Sequence, residues 1–456
     1  MTSMEKLHWF DRNPQFPNFI FATLRFATHI DPQVARQSLE IVLKRQPLAS
    51  MEPKLIGGRW CWQPLEDQQL DGEKVFRSHE LAGGEHANGF AADEHEFDQQ
   101  YVSCFLTVAN PSETKSAGDT VSEIRFHSHH AASDGVASIG LVNDWLMVYN
   151  NLVTGNPAET GLIELDATSF KSRGVLGLLS WNFLKGLPWQ AIALFGAVKF
   201  IFRKTNEIVP EAVPTETPKP FPAIVGAWVE AATLEADRRR ANDNQVGFTA
   251  WCLTKCFIAI QKWNQSRVVA GLSVSHQKTP SLWRILLPIS TRNTRDRDAV
   301  AANRTAIVQI DRQPPTDESE LVSFSQSIDY EINFIRRWQL EKMFLIVIRL
   351  ASLSNSWLSK VANNPNSRGA AVFTHLGRPF KRAMIHANRL AKPGPAPLAR
   401  PIDFDLAGPV RSGTPINISF ARFDGRLKIG LHYDAYAVSP SQANRLLATI
   451  VDLFSD

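Results

Sequence analysis

The chain has 456 residues, with 49 basic and 45 acidic side chains for a net charge of +4, and 44% of its residues are hydrophobic. That length exceeds one ordinary core and suggests two or three domains or two packed lobes, while the apolar content excludes global disorder. The positive excess is small and scattered, so nucleic acid is not an expected partner.

In chain order, a first lobe is expected over residues 1–160. It carries β-like segments at Phe19–Thr28, Arg59–Gln63, Tyr101–Val108 and Val121–Ser128 and helical patterns at Asp31–Arg45 and Val136–Leu152. Gly83–Asp98 reads as loop and Asn110–Asp119 as a surface hairpin loop. Residues 161–222 differ in character. Gly174–Lys204 is apolar, aromatic and basic without an acidic residue, and prolines from Pro210 to Pro222 read as an extended linker. Two readings stand for this stretch: a crossover helix covering the lobes, or an amphipathic element resting on a membrane. Its apolar run Ala191–Phe202 is too short to span a bilayer, which needs ~20 residues. The second lobe, 223–456, opens with a strand at Ala227–Leu234 and a helix at Thr249–Trp263. A strand then leads to Pro288, one long helix covers Glu318–Val361, and strands lie around Val372 and over Ile418–Tyr433. Ser439–Phe454 forms the terminal helix.

Cys61, Cys104, Cys252 and Cys256 fit no zinc or redox spacing, and Met1–Asp11 has no apolar core of a secretion signal. A reducing, cytoplasmic setting is expected, with peripheral membrane contact as the open alternative.

The chemistry concentrates in His129-His130-Ala131-Ala132-Ser133-Asp134-Gly135. Strand alternation places Ile124, Phe126, Ser128 and His130 on one face and Glu123, Arg125, His127 and His129 on the other, so the two histidines should point opposite ways. Asp134 sits where a helix start favours a carboxylate, and Gly135 permits a tight turn. His127-Ser128-His129 begins like an HxHxDH metal motif, but Ala131 and Ala132 occupy its Asp and His positions, so no metal is expected. No Gly-x-Ser-x-Gly elbow and no phosphate-cradling glycine loop occurs.

This HHxxxDG segment resembles the signature of the chloramphenicol-acetyltransferase-like superfamily, which includes condensation domains, alcohol acyltransferases and wax ester/diacylglycerol acyltransferases. Other segments are similar in the same order. Leu39–Leu48 resembles the early helix, with Gln46 for the usual histidine. Leu287–Arg292 resembles the "vPvsxR" strand end, and Asn303 follows Ala302 in place of a Gly-Asn. Phe373–Gly377 resembles "fSNlG", with His375 for the asparagine, and Ile418–Asp434 resembles the late hairpin. The resemblance implies an α/β fold of two lobes, each a mixed β-sheet with helices, with an active-site tunnel where they meet. It further implies direct acyl transfer from an acyl-CoA or acyl-phosphopantetheine co-substrate, without a permanently bound cofactor, to a small-molecule alcohol. An amide-forming reaction on carrier-protein thioesters is the alternative, and a silent thioester-binding module is a third reading. An acyl carrier protein is therefore a candidate partner beside the alcohol or amine acceptor.

By its motif position His130 is the candidate general base, against a merely structural ring; His129 is assigned to packing. The resemblance pairs Asp134 with Arg292 of the second lobe in a bidentate bridge, although Asp134 could simply cap its helix. It places Thr374 at the oxyanion, and leaves Asn303 to orient cofactor or backbone, or to serve as a turn residue.

Overall fold

The computed structural model describes residues 1–12, 15–65, 75–81, 102–109, 120–165, 170–176, 178, 180–203, 205–211, 221–269, 282–292, 302–363, 369–391 and 398–455. The expected loops at 83–98 and 110–119, and most of the proline linker, lie outside these residues. The chain divides into two compact units, each discontinuous: Met1–Gly174 with Arg292–Arg304 and Arg378–Pro409, and Val175–Thr291 with Thr305–Gly377 and Val410–Asp456. The sequence reading had treated each lobe as one continuous stretch.

The first unit begins with α1 (Ser3–Phe10), β1 (Phe19–Phe26), α2 (Pro32–Arg45), β2 (Met51–Ile56), β3 (Arg59–Pro64), β4 (Phe76–Leu81), β5 (Val102–Ala109), β6 (Ser122–His129) and α3 (Gly135–Val153). The chain then contributes α4 (Trp181–Lys185), α5 (Leu187–Phe202), β7 (Ile224–Val229), α6 (Ala231–Asp243), α7 (Phe248–Val269) and β8 (Trp283–Ser290) to the second unit. After residues 292–304, which pack with the first unit, it continues the second with β9 (Thr305–Arg312), α8 (Leu321–Trp338), α9 (Glu341–Ala351), α10 (Asn355–Ala362) and β10 (Ala371–Gly377). It returns to the first unit for α11 (Lys381–Leu390) and β11 (Pro401–Ala407), and ends in the second with β12 (Ile416–Phe423), β13 (Arg426–Tyr433) and α12 (Pro440–Ser455).

The first unit's sheet runs β11-β1-β6-β5-β4, antiparallel except for the β4–β5 pair. Its core is built on Phe19, Leu24, Phe26, Leu39, Ile124 and Trp145, all buried. The expected helix α2 starts where Asp31 accepts from the backbone N–H groups of Gln33 and Val34, with Pro32 preset for the first turn. Helix α3 reads as apolar, but its asparagines hold the returning chain. Asn143 donates to Pro379 O and accepts from Ala383 N–H, and Asn150 does the same with Ala399 O and N–H. Arg25 then clamps Glu123, Asp403 and Asp405 at 2.7–3.0 Å, fixing β11 beside β1.

The second unit's sheet runs β7-β13-β12-β10-β8-β9, with parallel pairs on both sides of β10. Its core includes Phe257, Ile285, Phe373, Ile418, Phe420 and Ile450. Cys252 and Cys256 are buried free thiols on α7.

Several elements correct the sequence reading. The single long helix over 318–361 is three: α8 stops at Gln339, whose left-handed backbone (φ 54°) ends the hydrogen-bond ladder, and α10 restarts at the Ser354 cap. The strand expected over 227–234 ends at Val229, because the Ala- and Leu-rich run from Ala231 joins helix α6. Helices α1 and α11 and strands β2, β4, β9 and β11 were not anticipated. Among the described residues no helix is long and apolar enough to cross a membrane.

Candidate active site

Strand β6 lies between β1 and β5 and delivers the motif at its end. The last ladder pair is His129 with Phe19, after which His130 N–H donates to Asn18 O at 2.9 Å. Asn18 holds a left-handed backbone (φ 63°), which asparagine tolerates better than most residues. The chain then turns through Ala131–Ser133, with the N–H groups of Ala132 and Ser133 both donating to His129 O. Gly135 is the first residue of α3 and needs no left-handed backbone; the demanding conformation falls on Asn18 instead.

The two histidines have different neighbours, none of which the sequence suggested. His129 is buried, with its ring edge-on to Phe19 at 5.2 Å and near Trp9 at 5.6 Å. Its Nδ1 accepts from Ala131 N–H at 3.0 Å, so the neutral ring carries its proton on Nε2. Burial, with Arg12 and His130 nearby, pulls its pKa down to about 3. His130 has the opposite arrangement. Its Nδ1 lies 2.9 Å from Ser133 O and 3.2 Å from Asn303 Nδ2; the carbonyl is the nearer and can only accept, while the Asn303 amide already donates to His130 O, so the ring proton is assigned to Nδ1. The lone pair is therefore on Nε2. Burial lowers the pKa of His130, against the supporting hydrogen bond to Ser133 O and the nearby Asp134, so the ring is neutral at pH 7. The imidazole stacks on His8 of α1 at 3.9 Å between centroids.

Asp134 caps α3 by accepting from Ala137 N–H at 3.0 Å, and its Oδ2 also accepts from Arg304 N–H at 2.8 Å. Arg292 Nη1 meets the same oxygen at 2.5 Å while Nη2 donates to Ala302 O. Capping and ion pairing thus occur together. Burial pushes the carboxyl up, yet Arg292 and the backbone donors hold it below the usual carboxylate range. Because Arg292–Arg304 packs with the first unit, this pair is internal to that unit, a correction to the expectation that it joins two lobes. Asn303 enters from the same segment: its Nδ2 donates to His130 O at 2.8 Å. It orients backbone, and its neighbour Ala302 is buried against Ala131 and Ala132.

Beneath the turn, the hydroxyls of Ser128, Ser133 and Ser138 form a buried triangle with sides of 2.6–2.9 Å. It anchors the side chain of Ser133, the residue whose carbonyl orients His130. Thr374 belongs to β10 of the second unit, where it pairs with Ser419 of β12.

No protein-family model and no curated protein matches the sequence. Solved structures do match along nearly the full length. The first condensation domain of the calcium-dependent antibiotic synthetase aligns with a TM-score of 0.67 at 12% identity, covering 100% of this chain and 96% of that one. Trichothecene 15-O-acetyltransferase from Fusarium sporotrichioides aligns at 0.66 and 11% identity, over 100% and 94%. Polyketide synthase associated protein 5 from Mycobacterium tuberculosis aligns at 0.55 and 13% identity, over 99% and 97%. The fold is chloramphenicol-acetyltransferase-like.

Against this chloramphenicol-acetyltransferase-like fold, the sequence reading missed His8, Asn18, Ser133 and Arg304. One signal was available. Thr2 and Glu5 form a capping box, each side chain engaging the other's backbone N–H, and that pattern marks α1 and hence His8. Arg304 N–H and Ser133 O are backbone atoms, which leave no trace in residue type, although the Ser133 hydroxyl also holds the turn through the serine triangle.

Proposed function

We propose that this protein transfers an acyl group from a thioester to the hydroxyl of a small-molecule acceptor, with His130 as general base. The observation that carries this reading is the Ser133 carbonyl on His130 Nδ1, which leaves a neutral imidazole with its lone pair on Nε2. In the proposed step, Nε2 takes the acceptor's hydroxyl proton as the oxygen attacks the thioester carbonyl. The tetrahedral intermediate then collapses, its C–S bond breaks, and the departing thiolate recovers the proton from Nε2. Nδ1–H keeps its bond to Ser133 O throughout, so the transient imidazolium is supported from behind. Asp134 and Arg292 hold the turn's geometry and transfer no proton. The role of Thr374 as oxyanion donor rests on the resemblance of the β10 segment alone.

Free acyl-CoA is the proposed donor, with no permanently bound cofactor. Amide formation on a carrier-bound phosphopantetheine thioester is the second reading, favoured by the likeness to a condensation domain. One assay separates them: thiol release from acyl-CoA and from acyl-carrier panels, each with alcohol and with amine acceptors. Acceptor-dependent CoA release with alcohols is expected, falling by roughly a hundred- to ten-thousand-fold in His130→Ala. Thioester binding without turnover on any panel would replace the enzyme by a binding module.

A further inference from the structure

We propose that the α4–α5 segment docks the protein on an anionic lipid surface. The inference is independent of the acyl-transfer chemistry. It starts from the way this helix pair is turned. Phe183, Gly186 and Gln190, spaced three and four residues apart, form the buried stripe. Gln190 Nε2 donates to Trp338 O at 2.6 Å and to Gln339 O at 3.2 Å, so the one polar residue of this stripe closes the end of α8. A side chain on Gly186 would meet Trp338 O at 2.9 Å, which is why the contact needs glycine. Most of the outward positions are apolar, Asn182 and Lys185 being polar exceptions. Trp181 is 68% exposed, Leu187 51% and Ile192 61%, with Leu184 and Leu194 also exposed. An ordinary surface helix places polar residues outward; here the order is reversed.

What covers such a face is indicated by charge. Residues 174–204 contain Lys185, Lys199, Arg203 and Lys204 and no carboxylate; Arg203 pairs with Asp311 at 3.4 Å, and the Lys185 ammonium lies 4.9 Å from the centre of the Trp181 ring. Apolar and tryptophan side chains interleaved with cations suit the boundary between acyl chains and anionic headgroups. A second copy of the chain would set one cationic belt against another, with no acidic residue in the segment to offset it. At 16 residues with Lys199 inside it, α5 can lie in that boundary but not cross it.

The test is flotation of the full chain with phosphatidylcholine vesicles, with and without phosphatidylglycerol. Wild type should float with the anionic vesicles and less so in high salt. The triple variant Trp181→Ser, Leu187→Ser, Ile192→Ser should bind about tenfold more weakly, and Lys185→Glu alone about fivefold. Leu55→Ser with Ile56→Ser, which removes exposed apolar residues of the β2–β3 hairpin, should float as wild type. An unchanged thermal midpoint checks the fold of the triple variant, and Lys185→Glu carries the test if that midpoint falls. Wild type that stays with the pellet overturns the proposal. So does flotation indifferent to both variants, or a light-scattering dimer that the triple variant dissolves.

Discussion

The corner after β6 and the end of β10 each present a partly buried histidine whose Nδ1 is hydrogen-bonded, yet only the first has a fixed tautomer. At the corner the partner is Ser133 O at 2.9 Å, which accepts only, so Nδ1 of His130 carries the proton. On β10 the partner of His375 is Thr249 Oγ1, also at 2.9 Å, and a hydroxyl donates or accepts as required. His375 Nε2 is buried without a hydrogen-bond partner among the described residues, and burial, with Arg422 and Arg336 nearby, lowers its pKa to about 4. The corner holds the HHxxxDG segment, whereas on β10 a histidine occupies the position of the asparagine in the "fSNlG" pattern that the segment resembles. Burial is common to both rings, so what separates them is the chemistry of the orienting partner.

The strongest way to break the corner is to remove its charge pair. The side chains of Asp134 and Arg292 are 1% and 2% exposed, so Asp134→Ala strands a buried guanidinium and two backbone donors. A loss of about 3–5 kcal/mol in urea unfolding is expected. Asp134→Ala combined with Arg292→Ala should cost clearly less than the two single losses added, because the second substitution removes the orphaned charge.

Acid sharpens the comparison next. His127 and His129 have pKa values near 3 and His375 near 4, all depressed chiefly by burial. A depressed imidazole pKa means the unfolded chain binds protons that the folded chain refuses. Stability is therefore whole above pH 6.5 and declines as pH falls, by roughly 1.4 kcal/mol per unit for each such histidine. The share of His375 should be spent near pH 4, while that of the β6 pair continues to about pH 3. Urea midpoints across that range measure it. The acid limb of kcat/KM should likewise fall below the ordinary imidazole value, since burial lowers His130 as well.

Much of this corner was legible because its information is carried by residue type. A strand pattern ending in two histidines and an aspartate at a helix start mark His129, His130 and Asp134, while Arg292 was reached only through the resemblance of Leu287–Arg292. The contacts that complete it run through backbone atoms, Ser133 O, Asn18 O and Arg304 N–H, which residue type does not announce. Unit membership was illegible for a related reason. Nothing in residues 292–304 or 378–409 announces that they leave the second unit; the asparagines of α3 and the Arg25 clamp hold the latter, Asp134 and His130 O hold the former, and all are long-range pairings. The break of the expected long helix at Gln339 was hidden because the helical period of its apolar residues resumes beyond it.

The smallest effect should come from restoring the usual asparagine on β10. His375→Asn removes a ring nitrogen that is buried without a partner and loses an edge contact with Phe248 at 5.8 Å. The first change stabilises and the second costs, each on the order of 1 kcal/mol, so at pH 7 they should nearly cancel. The amide keeps a group that can bond Thr249 Oγ1. Asparagine does not titrate, so the variant should lose less stability than wild type between pH 6.5 and about 4 and run parallel to it below. Superimposable unfolding curves at pH 7 that diverge at pH 5 are the expected result. Equal acid sensitivity would mean that His375 is already charged in the folded protein, and that the β10 end resembles an ordinary solvated histidine instead of a packed one.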